Sequence, residues 1–171
     1  LRSTAEPITE GEHAGKYKFT GQKIYITWGE HELAENIIHL VLARLPGAPE
    51  GSRGISLFVV PKYHVNEDGS LGNRNDLRVV SLEHKLGINA SPTCVMSYGD
   101  NGECIGEIVG EPNRGLMAMF TMMNNARINV GNQGNQIAER ATQQALTYAI
   151  DRVQSARAGS PDKTPVAIIE H

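Results

Sequence analysis

The sequence predicts a mainly antiparallel β-barrel domain followed by a long α-helix that belongs to an incomplete helical bundle. Three observations carry this expectation. Short stretches rich in β-branched and aromatic residues, separated by Gly, Asn, Asp and Pro clusters, fill the chain up to Pro112. No helical period lies between them, so no crossover helices are available to make a parallel sheet. After Pro112, apolar residues recur at steps of three and four. At 171 residues, 40% hydrophobic and 20% charged, the composition is that of a folded protein long enough for one domain and an appendage.

Strands are expected at residues 16–20, 23–28, 36–44, 55–60, 77–82, 93–98 and 103–109. The run Ile37-Ile38-His39-Leu40-Val41-Leu42 is apolar at nearly every position, which predicts a central strand covered on both faces. Residues 61–75 are a polar excursion with Asp68-Gly69 and Gly72-Asn73, read as a long hairpin or surface loop. Beyond Pro112, Asn113 is the expected N-cap, and Leu116, Phe120, Met123, Val130, Ile137, Ala141, Ala145 and Tyr148 form an apolar stripe. One long helix, or two joined at Gly131 and Gly134, explains the stripe, and Gly159-Ser160-Pro161 is the expected stop. Met117, Met119 and Met122 lie partly off it, so the first half needs burial by something besides the barrel.

Several function classes are disfavoured. A net charge of −3 provides no basic field for phosphate backbones, so nucleic acid is not an expected partner. No apolar run approaches the roughly 20 residues that span a bilayer, and Leu1-Arg2-Ser3-Thr4 has no signal-peptide core, so a soluble, cytoplasmic protein without membrane contact is expected. Cys94 and Cys104 flank the turn 98–102 and are read as a reduced core pair facing each other across a hairpin. His31, Glu35 and His39 have helical spacing, yet His39 lies in the most strand-like run, so no metal site is expected. No strand-turn-helix phosphate loop and no nucleophile elbow is present.

Two segments bear on chemistry. In Gly21-Gln22-Lys23-Ile24-Tyr25-Ile26-Thr27-Trp28-Gly29, period-two alternation puts Ile24, Ile26 and Trp28 on one face and Tyr25 beside Thr27 on the other. A ring next to a hydroxyl suits a planar heteroaromatic ligand, which packs on the ring and hydrogen-bonds at its edge. Arg127 continues the register of Phe120 and Met123, so a guanidinium stands where the pattern requires burial; it is read either as a structural ion pair or as an anchor beside an anion or an acid of another domain. From these residues alone, a non-catalytic β-barrel that binds a ligand or mediates oligomerisation is the alternative to an enzyme.

The motifs taken together resemble the flavoprotein acyl-CoA dehydrogenases: residues 21–29, then Gly54-Ile55-Ser56-Leu57-Phe58-Val59-Val60-Pro61, then His84-Lys85-Leu86-Gly87-Ile88 with Ser91 and Thr93, then residues 109–116, then Arg127, Tyr148 and Arg152. The insertion 61–75 is most similar to the branch that includes 3-(methylthio)propanoyl-CoA dehydrogenases. The resemblance implies a middle β-barrel domain at 1–111, the first helix of a C-terminal helical domain at 112–158, and a linker or tail at 159–171. It implies FAD, with Tyr25 against the isoalloxazine, Thr27 bonding its N5 edge, Trp28 extending the aromatic surface, Arg152 reaching the pyrophosphate, Gln154 assisting, and Arg127 supporting the active site. It further implies an acyl-CoA substrate, an electron-transfer acceptor and a homo-oligomer formed through the helical domain. The glutamate base and the Thr-Glu-Pro loop of the family have no counterpart among these residues, so this chain alone is expected to be inactive and to hold FAD weakly or not at all. Tyr25 stands where Trp is commoner, Trp28 where Asn is frequent, and Ser155-Ala156 where Phe-Gly is usual.

Overall fold

Extended segments between turn residues build nine strands. In a computed structural model that describes all residues, Leu1–His171, they are β1 (Thr4–Pro7), β2 (Tyr17–Thr27), β3 (Ile38–Ala43), β4 (Ser56–Pro61), β5 (Tyr63–Val65), β6 (Leu71–Arg74), β7 (Leu77–Leu82), β8 (Thr93–Tyr98) and β9 (Ile105–Ile108). A single α-helix, α1, spans Gly115–Asp151. Two compact units result, Leu1–Thr121 and Met122–His171.

The main sheet is antiparallel, in the order β3-β4-β9-β2-β8-β7, with β1 beside β2. Residue Thr4 also bridges Arg44 in parallel at the end of β3, through bonds from Ala5 N to Arg44 O (2.9 Å) and from Arg44 N to Ser3 O (3.0 Å). The hydrogen-bonded ladder therefore returns from β1 to β3 in barrel-like fashion. Its interior is apolar: Phe19, Phe58, Val60, Met96 and Cys94 are fully buried. Phe19 and Phe58 meet edge to face at 4.8 Å, the geometry that the ring quadrupoles favour. Each such side chain adds roughly 1.5–3 kcal/mol of transfer free energy. One polar side chain is fully used inside: Asn75 donates to Pro61 O (2.9 Å) and Ile105 O (2.7 Å) and accepts from Ile105 N (2.9 Å) and Asp76 N (3.0 Å).

The two strands expected at 16–20 and 23–28 are one continuous β2. Segment 61–75 is a hairpin, β5–β6, with Asn66 N bonded to Ser70 O (2.9 Å) across its turn. The expectation of a doubly covered β3 fails: β3 pairs only with β4 along its length, and Ile38 and Leu40 are exposed while His39, Val41 and Ala43 are buried. Nor do Cys94 and Cys104 face one another across a hairpin, because β2 lies between β8 and β9. Both cysteines are buried and unbonded.

Asn113 adopts a left-handed backbone (φ 64°) and its amide donates to Ser56 Oγ (2.8 Å), so it docks the chain on β4 instead of capping the helix. Gly115 follows, with its amide on Ile55 O (2.8 Å). A Cβ there would stand 2.3 Å from the Ser56 carbonyl carbon, so only glycine permits this approach. In the second unit, α1 ends at Asp151, before the expected Gly159 stop. The reason is pairing: residues 152–155 bond with 166–168 through Gln154 N to Val166 O (3.0 Å), Val166 N to Ser155 O (2.9 Å) and Ile168 N to Arg152 O (2.8 Å). The stretch 159–171 thus folds back on the end of the helix. No helix is long and apolar enough to cross a membrane.

Candidate functional site

The end of β2 departs from regular pleating. Lys23 faces Met96 and Ile26 faces Cys94 on β8, so three steps on one strand match two on the other. That surplus residue makes a β-bulge, with Tyr25 in the left-handed region (φ 58°). The bulge resets the alternation. Lys23 and Ile26 turn inward, whereas Ile24, Tyr25 and Thr27 are exposed. Ile24 therefore does not share a face with Ile26, as simple alternation had predicted. Tyr25 and Thr27 flank the inward Ile26, and Trp28, also left-handed (φ 57°), continues the exposed aromatic surface. Its amide donates to Pro92 O (2.8 Å). Gly29 behind it is buried, and a Cβ there would lie 3.0 Å from Met96 Sδ.

Beside Trp28 opens a cleft of about 730 Å³ lined by Leu33, His84, Lys85, Ser91 and Thr93 among others. Lys85 Nζ donates to Ser91 O (2.5 Å), which staples the loop on its far wall. Under the strand, Lys23 Nζ donates to Leu42 O (2.6 Å), and burial lowers its pKa to about 8. His39 Nδ1 lies 2.8 Å from Tyr98 Oη in the core; burial holds the imidazole below its ordinary pKa and the phenol above its own.

An ion cluster follows Trp28. Glu30 accepts from the buried Lys62 and from Arg74 Nη2 (3.0 Å). Burial favours its neutral form, but the hydrogen bonds from Lys62 and Arg74 and their charges outweigh this and lower its pKa. Lys62 Nζ also donates to His31 O (3.2 Å), and the His31 ring meets Trp28 edge to face at 5.4 Å. Sequence reading missed Lys23, Glu30, Lys62 and Arg74 as a group. The available signal was a lysine at an inward position of an alternating strand, and another directly after the apolar run of β4.

The remaining candidates lie on the helix and after it. Arg127 is exposed, not buried, and Nη1 donates to Asn124 Oδ1 (3.1 Å). Its expected burial is not met: Ile128 and Val130 beside it on α1 are likewise exposed. Arg152 and Gln154 are exposed in the fold-back after α1, where Gln154 O accepts from His171 Nε2 (2.9 Å) and Arg157 pairs with Glu170 (3.0 Å).

Comparison with known proteins identifies the frame that holds these residues. The chain is 56% identical, over all 171 residues, to 28% of the 3-methylmercaptopropionyl-CoA dehydrogenase of Ruegeria pomeroyi. It belongs to the acyl-CoA dehydrogenase family. A butyryl-CoA dehydrogenase of Syntrophomonas wolfei is 44% identical over 162 residues, which is 92% of this chain and 27% of that protein. No family profile matches. Among solved structures, butyryl-CoA dehydrogenase from Megasphaera elsdenii superposes with a TM-score of 0.63 at 26% identity, covering 94% of this chain and 36% of that one. A probable acyl-CoA dehydrogenase from Mycobacterium abscessus gives 0.61 at 25% identity, covering 94% and 36%. The chain thus spans about a quarter to a little over a third of the length of the curated acyl-CoA dehydrogenases it matches.

Proposed function

We propose that this chain is the flavin-binding part of an FAD-dependent acyl-CoA dehydrogenase, with an acyl-CoA thioester as substrate. The observation that supports this most is the bulge, which turns a phenol and a hydroxyl outward on either side of Ile26 and sets an indole next to them. A flat heteroaromatic ring fits such a surface: Tyr25 and Trp28 offer apolar contact, and the Thr27 hydroxyl offers one hydrogen bond at the ring edge. Arg152 offers a guanidinium, and Gln154 an amide, to the cofactor's pyrophosphate. When bound, FAD supplies the hydride acceptor for α,β-dehydrogenation, and the protein orients it and tunes its electronics.

Within that division of labour, Thr27 acts through a preorganised hydrogen bond whose donor already points outward in the folded strand. Tyr25 and Trp28 exclude water from one side of the ring. Arg127 supports the active site from α1. The base that removes the α-proton is a carboxylate outside this chain, so the 171 residues alone are inactive, and electrons pass to a separate acceptor protein. The working enzyme is a cytoplasmic homo-oligomer joined through its helical part.

Thr27→Val, made at the full length of the relatives, tests the reading. Loss of one hydrogen bond to the cofactor lowers the rate of flavin reduction about tenfold while the fold and the FAD content persist. An unchanged rate removes Thr27 from the mechanism. A colourless, well-folded full-length protein would instead favour the non-catalytic barrel.

A further inference from the structure

We infer that the β5–β6 hairpin positions the Trp28 end of β2, with Glu30 as the joint through which it acts. The inference deepens the flavin reading, on which its functional meaning rests. Trp28 holds a left-handed backbone, a conformation that persists in a non-glycine residue only where its surroundings over-determine it. Those surroundings are a loop strapped to the hairpin. Glu30, two residues on, takes both cations, Lys62 at the entry to β5 and Arg74 at the end of β6. Lys62 also holds His31 O, and the His31 ring closes on Trp28. Further along, Asn36 exchanges two bonds with the Tyr63 backbone, Nδ2 to Tyr63 O and Tyr63 N to Oδ1, each 2.9 Å. Lys62 N donates to Ile37 O (2.8 Å). Apart from the His31–Trp28 ring contact, every one of these contacts joins the 30–37 loop to the hairpin or its entry.

The charge placement argues for positioning over bulk stability. Lys62 is only 6% exposed. A buried ammonium is costly to keep, and an apolar residue packs a barrel wall at least as well. What a charge adds is direction: Glu30 takes Lys62 on Oε1 and Arg74 on Oε2, and this two-sided pairing ties the chain immediately after Trp28 to both ends of the hairpin.

Trp28 is the chain's single tryptophan, so its fluorescence reads its own mobility. Glu30→Gln, and the milder Arg74→Gln, raise the acrylamide quenching constant of native Trp28 by about twofold or more. Arg78→Gln, which breaks the exposed pair between β7 and Asp100 in the turn after β8, leaves it unchanged. Native quenching that stays at the wild-type value in Arg74→Gln overturns the inference, even where the melting temperature falls, because a merely stabilising cluster would shift only the latter. Should Glu30→Gln fail to fold, Arg74→Gln decides. At the full length of the relatives, the same two variants weaken FAD binding about tenfold, the scale on which supporting contacts act. Trp28 loosened with FAD affinity intact overturns the functional half. A wild type without FAD sinks the flavin reading and leaves the quenching result standing.

Discussion

Cys104 is fully buried, and burial, with the charge of Asp76 nearby, pushes its thiol up to about 12. Since the thiolate is the reactive species, burial leaves very little of it at pH 8. Iodoacetamide should therefore modify Cys104 only as fast as the first unit opens; mass-spectrometric detection of rapid native labelling would refute this. Glu30 gives a second residue-level expectation. Its folded pKa lies below the ordinary 4.5, so its pairing adds stability above that value and loses it as pH falls through the folded pKa. The denaturation midpoints of wild type and Glu30→Gln should converge as the solution is acidified past 4.5, whereas a gap that persists at lower pH would rule out carboxylate pairing. At this scale the sequence was partly legible. Tyr25 and Thr27 stand out by type and spacing, but Lys62 meeting Glu30 joins positions 32 residues apart, a contact that no local pattern encodes.

Elements were more legible than their ends. The strands of the first unit follow from β-branched runs between turn residues, and the hairpin at 61–75 from its Asp-Gly and Gly-Asn pairs. Two things were not readable. A bulge leaves no mark in composition, because its extra residue is recognised only against β8. The helix stop at Asp151 depends on partners at 166–168, outside any helical signal. Two glycines of α1 make opposite predictions. Gly115→Ala forces a Cβ into the backbone of Ser56 and Leu57 and should destabilise the first unit by about 2 kcal/mol in chemical denaturation. Gly131→Ala meets nothing within 4 Å and should stabilise α1 by up to about 1 kcal/mol, visible as increased helical circular dichroism. A neutral Gly115→Ala would show that the helix start can retreat from β4.

Across the whole molecule, apolar surface is divided unevenly. The first unit encloses its aromatic core, while Ile128, Val130, Ile137 and Tyr148 on α1 stay exposed in this chain. Fraying energies follow local burial, so amides of β2, β4 and β8 should exchange hydrogen slowest and those of α1 beyond Met122 far faster, as hydrogen-exchange mass spectrometry can resolve. Equal protection in both would mean that the helix finds a cover of its own kind in solution. The stripe that marks this face was plain in the sequence; its exposure in this chain was not, because periodicity marks an apolar face without naming what covers it.

The strand order carries a consequence for biosynthesis. Strand β9 is the last of the nine to be translated, yet it occupies an inner place, between β4 and β2. A nascent polypeptide leaving the ribosome can pair β1 with β2 and β3 with β4 early, but those two pieces are tied only by the short Thr4–Arg44 bridge and keep raw edges until Ile105–Ile108 arrives to pair with both β4 and β2. Stalled or truncated translation before that point should yield sticky half-sheets, and the interval of greatest exposure to chaperones ends when the final bridging strand emerges from the exit tunnel.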